Sequence, residues 1–416
     1  MQPAKTAFLH YSAPPVVGGV EIVLQAHARV FVEHGYPVTI IAGRGEPEAL
    51  PPGVDLVRLP WMDTQHPQIL EISSQLEQGQ APEGFEPIVT RLVEDLSAVL
   101  PQFENTIVHN IFGKHFNLPL TAALYRLLDA GKVENCIAWG HDFTWTSPHS
   151  RSKVFPGYPW DLLRTYRPDI TYVAVSHKRQ TELAHLLQIP LEDVRVIYNG
   201  VDLQATLGLS HTGLALIERL DLLQADPALL MPVRVTQAKN IEYALRLVAA
   251  LKELGCQPKL VVTGPPDPHD ENSMAYYHNL KAMRQQLGVE EEMQFVYESG
   301  PEGEGYTVEA EVVGDLFRAC DLLLMPSHRE GFGMPVLEAG LVGLPVFSTE
   351  VPAALEIGRE DVHLFAETDP PRQVAERIMS WMEASPVYRL KRRVRRKYTW
   401  QAIFKRDIQP LLRGMG

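Results

Sequence analysis

Two glutamates eight residues apart, Glu330 and Glu338, sit in the most informative window of the chain, Met325 to Val346 (MPSHREGFGMPVLEAGLVGLPV). A strand ending near Met325, a glycine-containing loop and Pro335 at a helix start form the pattern of a parallel α/β unit. The free N–H groups of such a helix start, with the helix dipole, attract an anion. Gly331 and Gly333 lack a Cβ and let a ligand approach the backbone closely. The spacing sets Glu330 at the loop mouth and Glu338 about one turn inside the helix, both at one crevice. Carboxylates accept paired hydroxyl donors well, so two of them suit a polyhydroxylated ligand. The expected ligand carries phosphate for the helix start and sugar hydroxyls for the glutamates.

Other residues extend this pattern. In PVRVTQAKNIEYAL, Arg234 ends a predicted strand and Lys239 precedes a predicted helix. Two cations at the carboxyl edge of a parallel sheet suit a diphosphate. Gly264, in VVTGPPD, ends another strand at the same edge. Near the N-terminus, Gly18 and Gly19 stand directly before a helix, a further place for phosphate contact. His141 and Asp142 follow the strand-like run NCIAWG, with Trp145 close behind.

These groups need elements to hold them, and the hydropathy pattern supplies two series. Short runs, apolar on both faces as sandwiched parallel strands are, alternate with amphipathic helical stretches. The first series begins at Thr6 to Tyr11 and runs to Val194 to Ile197. It includes a predicted helix over Val20 to His34, where Val20, Val23, Leu24, His27, Val30 and Phe31 share one stripe. Ser176 is placed to cap a helix over His177 to Leu187. The strand rhythm lapses around residues 204–226 and restarts at Ala228. The prediction is α/β, with two doubly wound domains: 1–203, a linker over 204–226, and 227–397. A helical tail over about 398–416 is expected to pack back on the first domain.

Composition bounds the function. Among 416 residues, 38 Lys+Arg against 51 Asp+Glu leave a net charge of -13, which argues against bulk nucleic-acid binding. No run approaches the length of a membrane span, and the N-terminus fits no signal peptide. The expectation is a cytoplasmic protein with reduced, buried thiols at Cys136, Cys256 and Cys320.

In order along the chain stand GGVE from Gly18, HD at His141, VSHKRQTEL from Val175, NGVD from Asn199, the Arg234/Lys239 pair and EGFGMPVLE from Glu330 to Glu338. With these motifs the chain resembles the retaining nucleotide-sugar glycosyltransferases of family 4 (group 1). The resemblance implies a GT-B fold, two Rossmann-like domains facing across a cleft. It departs from the family in having Val233 where glycine is common, and in a less basic lysine loop, TQAKN.

The resemblance implies roles residue by residue. Glu330 would contact the donor sugar's hydroxyls. The backbone of Gly331, Phe332, Gly333, Met334, Pro335, Val336 and Leu337 would hold the sugar and distal phosphate, and Glu338 the ribose. Arg234 and Lys239 would neutralise the diphosphate leaving group, and Gly19 would approach it from the first domain. Tyr297 and Glu298 lie where relatives hold the base. His141 would sit near the transferred sugar.

The expected reaction moves a hexosyl group from a nucleotide-diphosphate sugar to a small hydrophilic acceptor, such as a sugar or sugar acid. GDP-mannose is the first expectation for the donor, then UDP- or ADP-glucose. The acceptor is expected near Tyr11, the Trp61 to Gln68 stretch, His109 to His115, His141, Asp142 and Trp145. No cofactor or metal is expected. No two aspartates stand two residues apart, and Asp267-Pro268-His269-Asp270 reads as a turn. Two other classes remain: a nucleotide-sugar-binding protein without turnover, and a membrane-surface enzyme with a lipid or polymer acceptor using the basic cluster Lys391 to Lys397. A solvated helix face, or a clamp onto the acidic first domain, is the alternative for that cluster. A nicotinamide dehydrogenase is rejected, because PPVVGG stands where GxGxxG would be needed.

Overall fold

The computed structural model of the chain describes residues 4–267, 272–300 and 305–413. Asp267 is therefore described, but residues 268–270 of the expected turn lie outside the described residues.

The chain divides into two compact units, Met1–Gly200 with Trp400–Gly416, and Val201–Thr399. Among the described residues the first holds seven strands: β1 (Thr6–Leu9), β2 (Val38–Ala42), β3 (Val54–Arg58), β4 (Asn105–His109), β5 (Cys136–Gly140), β6 (Ile170–Ala174) and β7 (Val194–Val196). All pair in parallel, in the order β3-β2-β1-β4-β5-β6-β7. β1, β4 and β5 are buried along their whole length, which explains their continuous apolar runs. Strand order reverses beside β1, so the loops after β1 and β4 flank the switch point where doubly wound sheets bind ligands.

The second unit repeats the design with β8 (Ala228–Met231), β9 (Lys259–Val262), β10 (Met293–Phe295), β11 (Leu322–Met325), β12 (Val346–Ser348) and β13 (His363–Leu364). Their order is β10-β9-β8-β11-β12-β13, again all parallel. The switch point lies between β8 and β11, whose following loops carry Arg234, Lys239 and Glu330. Helices cover both faces. In the first unit, for example, the helix Gly19–Glu33 buries Val23, Leu24, His27, Val30 and Phe31, and Ser176 accepts from the Arg179 N–H as the expected cap of His177–Leu187.

The expected linker is not one. Residues 204–226 belong to the second unit and include the helix His211–Arg219. Leu209, Leu216, Ile217, Leu220 and Leu222 are buried with Phe317 and Leu323 in one core. Gly213 passes so close to the buried Asp315 that a Cβ would meet its Oδ2 at 1.8 Å. Asp315 accepts from the Ser210 N–H at 3.1 Å and hydroxyl at 2.5 Å, which anchors the helix start. A segment so committed to a core cannot serve as a free connector.

At the other end, Trp400, Ile403, Phe404, Ile408 and Leu412 pack in the first unit's core with Phe8, Phe31, Ile107 and Trp139. Four residues of the basic cluster, Lys391, Arg392, Arg395 and Arg396, clamp within the second unit rather than onto the first domain. Arg395, on the helix Pro386–Lys397, is buried and makes a two-pronged bond to the fully buried Asp321 at 2.9 and 3.0 Å. Lys391 donates to the Cys320 carbonyl at 2.5 Å, and Arg392 pairs with Asp226.

The three cysteines are free thiols. Cys136 and Cys320 are buried, which pushes each thiol up to about 12, while Cys256 is only half-buried.

Candidate functional site

In the second unit, two strand-end loops are stitched together. The His328 N–H donates to the Ala238 carbonyl at 2.9 Å, tying the loop after β11 to the one after β8. Lys239 Nζ donates to Glu330 Oε1 at 2.7 Å, and the Ser327 hydroxyl donates to the same oxygen at 2.9 Å. Ser327 is held in turn, since the Thr349 hydroxyl donates to its carbonyl at 2.7 Å. One oxygen of Glu330 is thus fixed by two donors. The other has no hydrogen-bond partner among the described residues and can accept from a ligand hydroxyl.

The helix Met334–Val342 begins three residues after Gly331. Its cap, Gly333, has φ 103° and ψ 54°, a left-handed conformation costly for other residues, and no side chain caps the helix start. The Val336 N–H donates back to the Gly333 carbonyl at 3.0 Å, so the start retains beside Glu330 the Gly333 and Met334 N–H groups, without partners among the described residues. Pro335 is the second helical residue and contributes no N–H to that set. Glu338 is exposed one turn along.

The two expected phosphate cations stand differently. Lys239 is committed to Glu330, whereas Arg234 is largely exposed and lies 3.8 Å from Asp267. Gly264 is required where it stands, because a Cβ would meet the Val233 carbonyl at 2.4 Å and the Arg234 Cα at 2.7 Å. It lets the loop after β9 pack directly under the arginine.

The expected base-holding pair is partly occupied. Glu298 accepts from the Tyr277 hydroxyl at 2.9 Å and Arg284 at 2.7 Å, with Lys281 at 3.1 Å. Burial pushes its carboxyl up, but these bonds, chiefly Arg284's, hold it below the usual range. Tyr297 is half-buried against Gly305.

In the first unit, a chain of histidines lies behind the sheet edge. The His10 Nδ1–H donates to the His109 carbonyl at 3.0 Å, and His10 Nε2 lies 3.6 Å from Glu21 Oε1. Burial would raise the Glu21 carboxyl. The His10 ring beside it and the bond from the Ser12 hydroxyl, at 2.7 Å, bring it down to about 2. Glu21 folds back so far that a Cβ on Gly18 would meet its Oε2 at 2.2 Å, whereas Gly19 faces open space.

His109 Nδ1 and His141 Nε2 are 3.3 Å apart. His109 is fully buried and its Nε2 has no partner. Burial, its largest influence, drives its basicity well down, and likewise brings His141 to about 4. Both rings are therefore neutral near pH 7. A buried lone pair without a partner costs less than a buried N–H without one. This puts the His109 proton on Nδ1, donating to His141 Nε2, and leaves His141 protonated on Nδ1. The neighbouring Asp142 is held by Lys114 at 2.8 Å and Asn110 at 3.3 Å. The His141 N–H donates to Asn110 Oδ1 at 2.8 Å.

Three expected acceptor contacts are corrected. His109 is fully enclosed and can act only through His141. Tyr11 is buried, 6.0 Å from the Phe116 ring, with its hydroxyl enclosed. Trp145 is a packing residue: its indole N–H donates to the Trp160 carbonyl at 3.2 Å, and the Arg151 and Arg164 guanidiniums stand 4.2 and 4.1 Å from its ring. An aromatic residue shortly after a strand end can point into the core as readily as into a site, and the sequence pattern does not separate the two.

With this geometry in place, the family follows. A model of "Glycosyltransferase Family 4" matches residues 17–205, and one of "Glycosyl transferases group 1" matches residues 215–399. The chain belongs to the family 4 (group 1) glycosyltransferases, and its two doubly wound units are of the GT-B class. It is 28% identical over 256 residues to an uncharacterized glycosyltransferase of Methanocaldococcus jannaschii, covering 60% of this chain and 61% of that one. It is 26% identical over 291 residues to mannosylglucosylglycerate synthase of Petrotoga mobilis, covering 64% and 65%. A D-inositol 3-phosphate glycosyltransferase of Xylanimonas cellulosilytica matches at 29% identity over 46% of this chain and 43% of its own. The chain thus spans under two thirds of the length of these relatives. Among the described residues, no helix is long and apolar enough to cross a membrane.

Proposed function

We propose that the protein is a retaining hexosyltransferase. It moves a mannosyl or glucosyl group from a nucleotide-diphosphate sugar to a hydroxyl of a small hydrophilic acceptor, with GDP-mannose the favoured donor. The observation that carries this reading is Glu330, with one oxygen held by Lys239 and Ser327 and the other free, beside an uncapped helix start. The free oxygen accepts a sugar hydroxyl, and the helix N–H groups take the distal phosphate. The named activities of the curated relatives, a mannosylglucosylglycerate synthase and an inositol phosphate glycosyltransferase, support a small polar acceptor.

Breaking a sugar–phosphate bond develops positive charge at the anomeric carbon and negative charge on the departing diphosphate. Arg234, Lys239 and the helix start supply fixed positive charge for the latter, which stabilises the transition state more than the ground state. In this reading the acceptor attacks on the face the diphosphate leaves, and a phosphate oxygen takes its proton.

A panel of UDP-, GDP- and ADP-hexoses, read by thermal shift, tests the donor. A ligand at a hundred times its Kd stabilises the native state by about 2.7 kcal/mol. One or more of them should raise the melting temperature, and the product's anomeric configuration should match the donor's. A panel with no shift, or an inverted product, overturns the reading.

A further inference from the structure

The carboxyl edge of the first unit's sheet carries two arginines that no family motif marks. Ser12 pairs with Arg44 in the same register that pairs Leu9 with Ile41, so the β1–β2 ladder continues past the end of β2. Ala42, two residues earlier, is the partner of Arg58, the last residue of β3. Arg44 and Arg58 line one open depression, with Pro15, Val16 and Pro60 supplying apolar wall.

The depression depends on glycine. A Cβ on Gly43 would stand 2.0 Å from the Asp63 backbone nitrogen, so glycine lets the turn after β3 close against the end of β2. That closure brings Asp63 Oδ1 to 3.5 Å from Arg44 Nε, which holds the guanidinium by its inner edge while 42% of the side chain stays exposed. Arg58 is exposed and has no hydrogen-bond or ion-pair partner among the described residues. Glu46 also lines the depression, so it is not uniformly basic, and an oxyanion has to seat on the arginine side.

We propose that Arg44 and Arg58 bind an oxyanion, a carboxylate or a phosphomonoester, carried by the acceptor. Guanidinium forks match both groups and form strong charge-assisted bonds to them. That the occupant is an acceptor rests on the glycosyltransferase reading; the oxyanion chemistry does not. Three strand steps separate β2 from β5, whose end carries His141, which is about 14 Å at the usual strand spacing. An acceptor that spans the two carries its charge remote from the His141 end.

Inorganic phosphate and acetate, titrated at constant ionic strength into ¹⁵N-arginine-labelled protein, test the site directly. Phosphate or acetate should shift the Arg44 and Arg58 Nε–H signals saturably, and Arg58→Gln should weaken that binding about tenfold. Tighter phosphate binding identifies a phosphomonoester and tighter acetate binding a carboxylate, and each supports the site. Unchanged anion affinity in both Arg58→Gln and Arg44→Gln, or shifts confined to other arginines, overturns it. In turnover, Arg58→Gln should raise the acceptor KM far more than the nucleotide-sugar KM. Should the anion site behave as expected while no nucleotide sugar is turned over, the glycosyltransferase reading fails and the oxyanion site stands.

Discussion

Lys239 and Glu330, 91 residues apart, meet at 2.7 Å and join the loops that follow two adjacent strands of the second sheet. Both side chains are mostly enclosed, at 20% and 9% exposure. Each therefore sets the other's position: the lysine holds one carboxylate oxygen inward, and the carboxylate keeps the ammonium at the sheet's carboxyl edge.

Replacing Lys239 with methionine should act on both stability and ligand. It leaves Glu330 a nearly buried carboxylate with only the Ser327 bond, at a cost of about 1–3 kcal/mol. It also removes a fixed cation from the diphosphate, so affinity for nucleoside diphosphates should fall at least tenfold. Calorimetric titration and thermal melting read the two effects. Unchanged affinity would detach Lys239 from the site.

Acid should destabilise the first unit earlier than its carboxylates alone would. Burial brings His27 to about 3 and His141 to about 4, and drives His109 well down. Above pH 6.5 these rings are neutral folded or unfolded, and nothing is lost. Below it the unfolded chain takes up protons that the fold refuses, so stability falls as pH drops from 6.5 toward these lowered values. Each ring contributes about 1.4 kcal/mol per pH unit, roughly 4 kcal/mol for three by pH 5.5. Glu21, brought down to about 2, keeps its contribution across this window and loses it only in stronger acid. Urea titrations at pH 7.5 and 5.5 should show the drop, and His27→Leu should shrink it by about a third. An equal drop in that variant would contradict the assignment.

The helix Pro386–Lys397 should matter to stability and not to membranes. Arg395→Ala strands the buried Asp321 and should cost about 3–5 kcal/mol. Arg393→Ala, on the exposed side, should stay within about 0.5 kcal/mol. With Lys391, Arg392 and Arg395 occupied internally, little protein should sediment with anionic vesicles at physiological salt. Strong co-sedimentation would revive a lipid acceptor.

Turnover should survive excess chelator within a few-fold. Lys239, Arg234 and the uncapped helix start can offset the diphosphate charge from fixed positions. Loss of activity with chelator, restored by magnesium or manganese, would mean that the protein cations do not suffice.

Much of this was legible locally. Strands buried on both faces leave continuous apolar runs, so β1, β4, β5, β8 and β11 stand out. The loop-and-helix pattern at Glu330 likewise marks its own site. Contacts set by long-range pairing left no such mark. Arg395 reaches Asp321 across 74 residues, and His109 reaches His141 across 32. The leucines of 209–222 resembled a connector because strand rhythm stops there, although their helical spacing buries them. Arg44 and Arg58 come together only through strand register.

The central claim, that Glu330 bears on the transferring sugar, is tested most directly by Glu330→Gln. Glutamine keeps the side chain's size but removes the charge that Lys239 holds and the second acceptor oxygen. With the donor identified by thermal shift, kcat should fall more than a hundredfold, a loss of about 2.7 kcal/mol in transition-state stabilisation, while nucleoside diphosphate affinity stays within about fivefold. A variant with near-normal kcat would contradict the account, because the free oxygen of Glu330 would then have no part in the transfer.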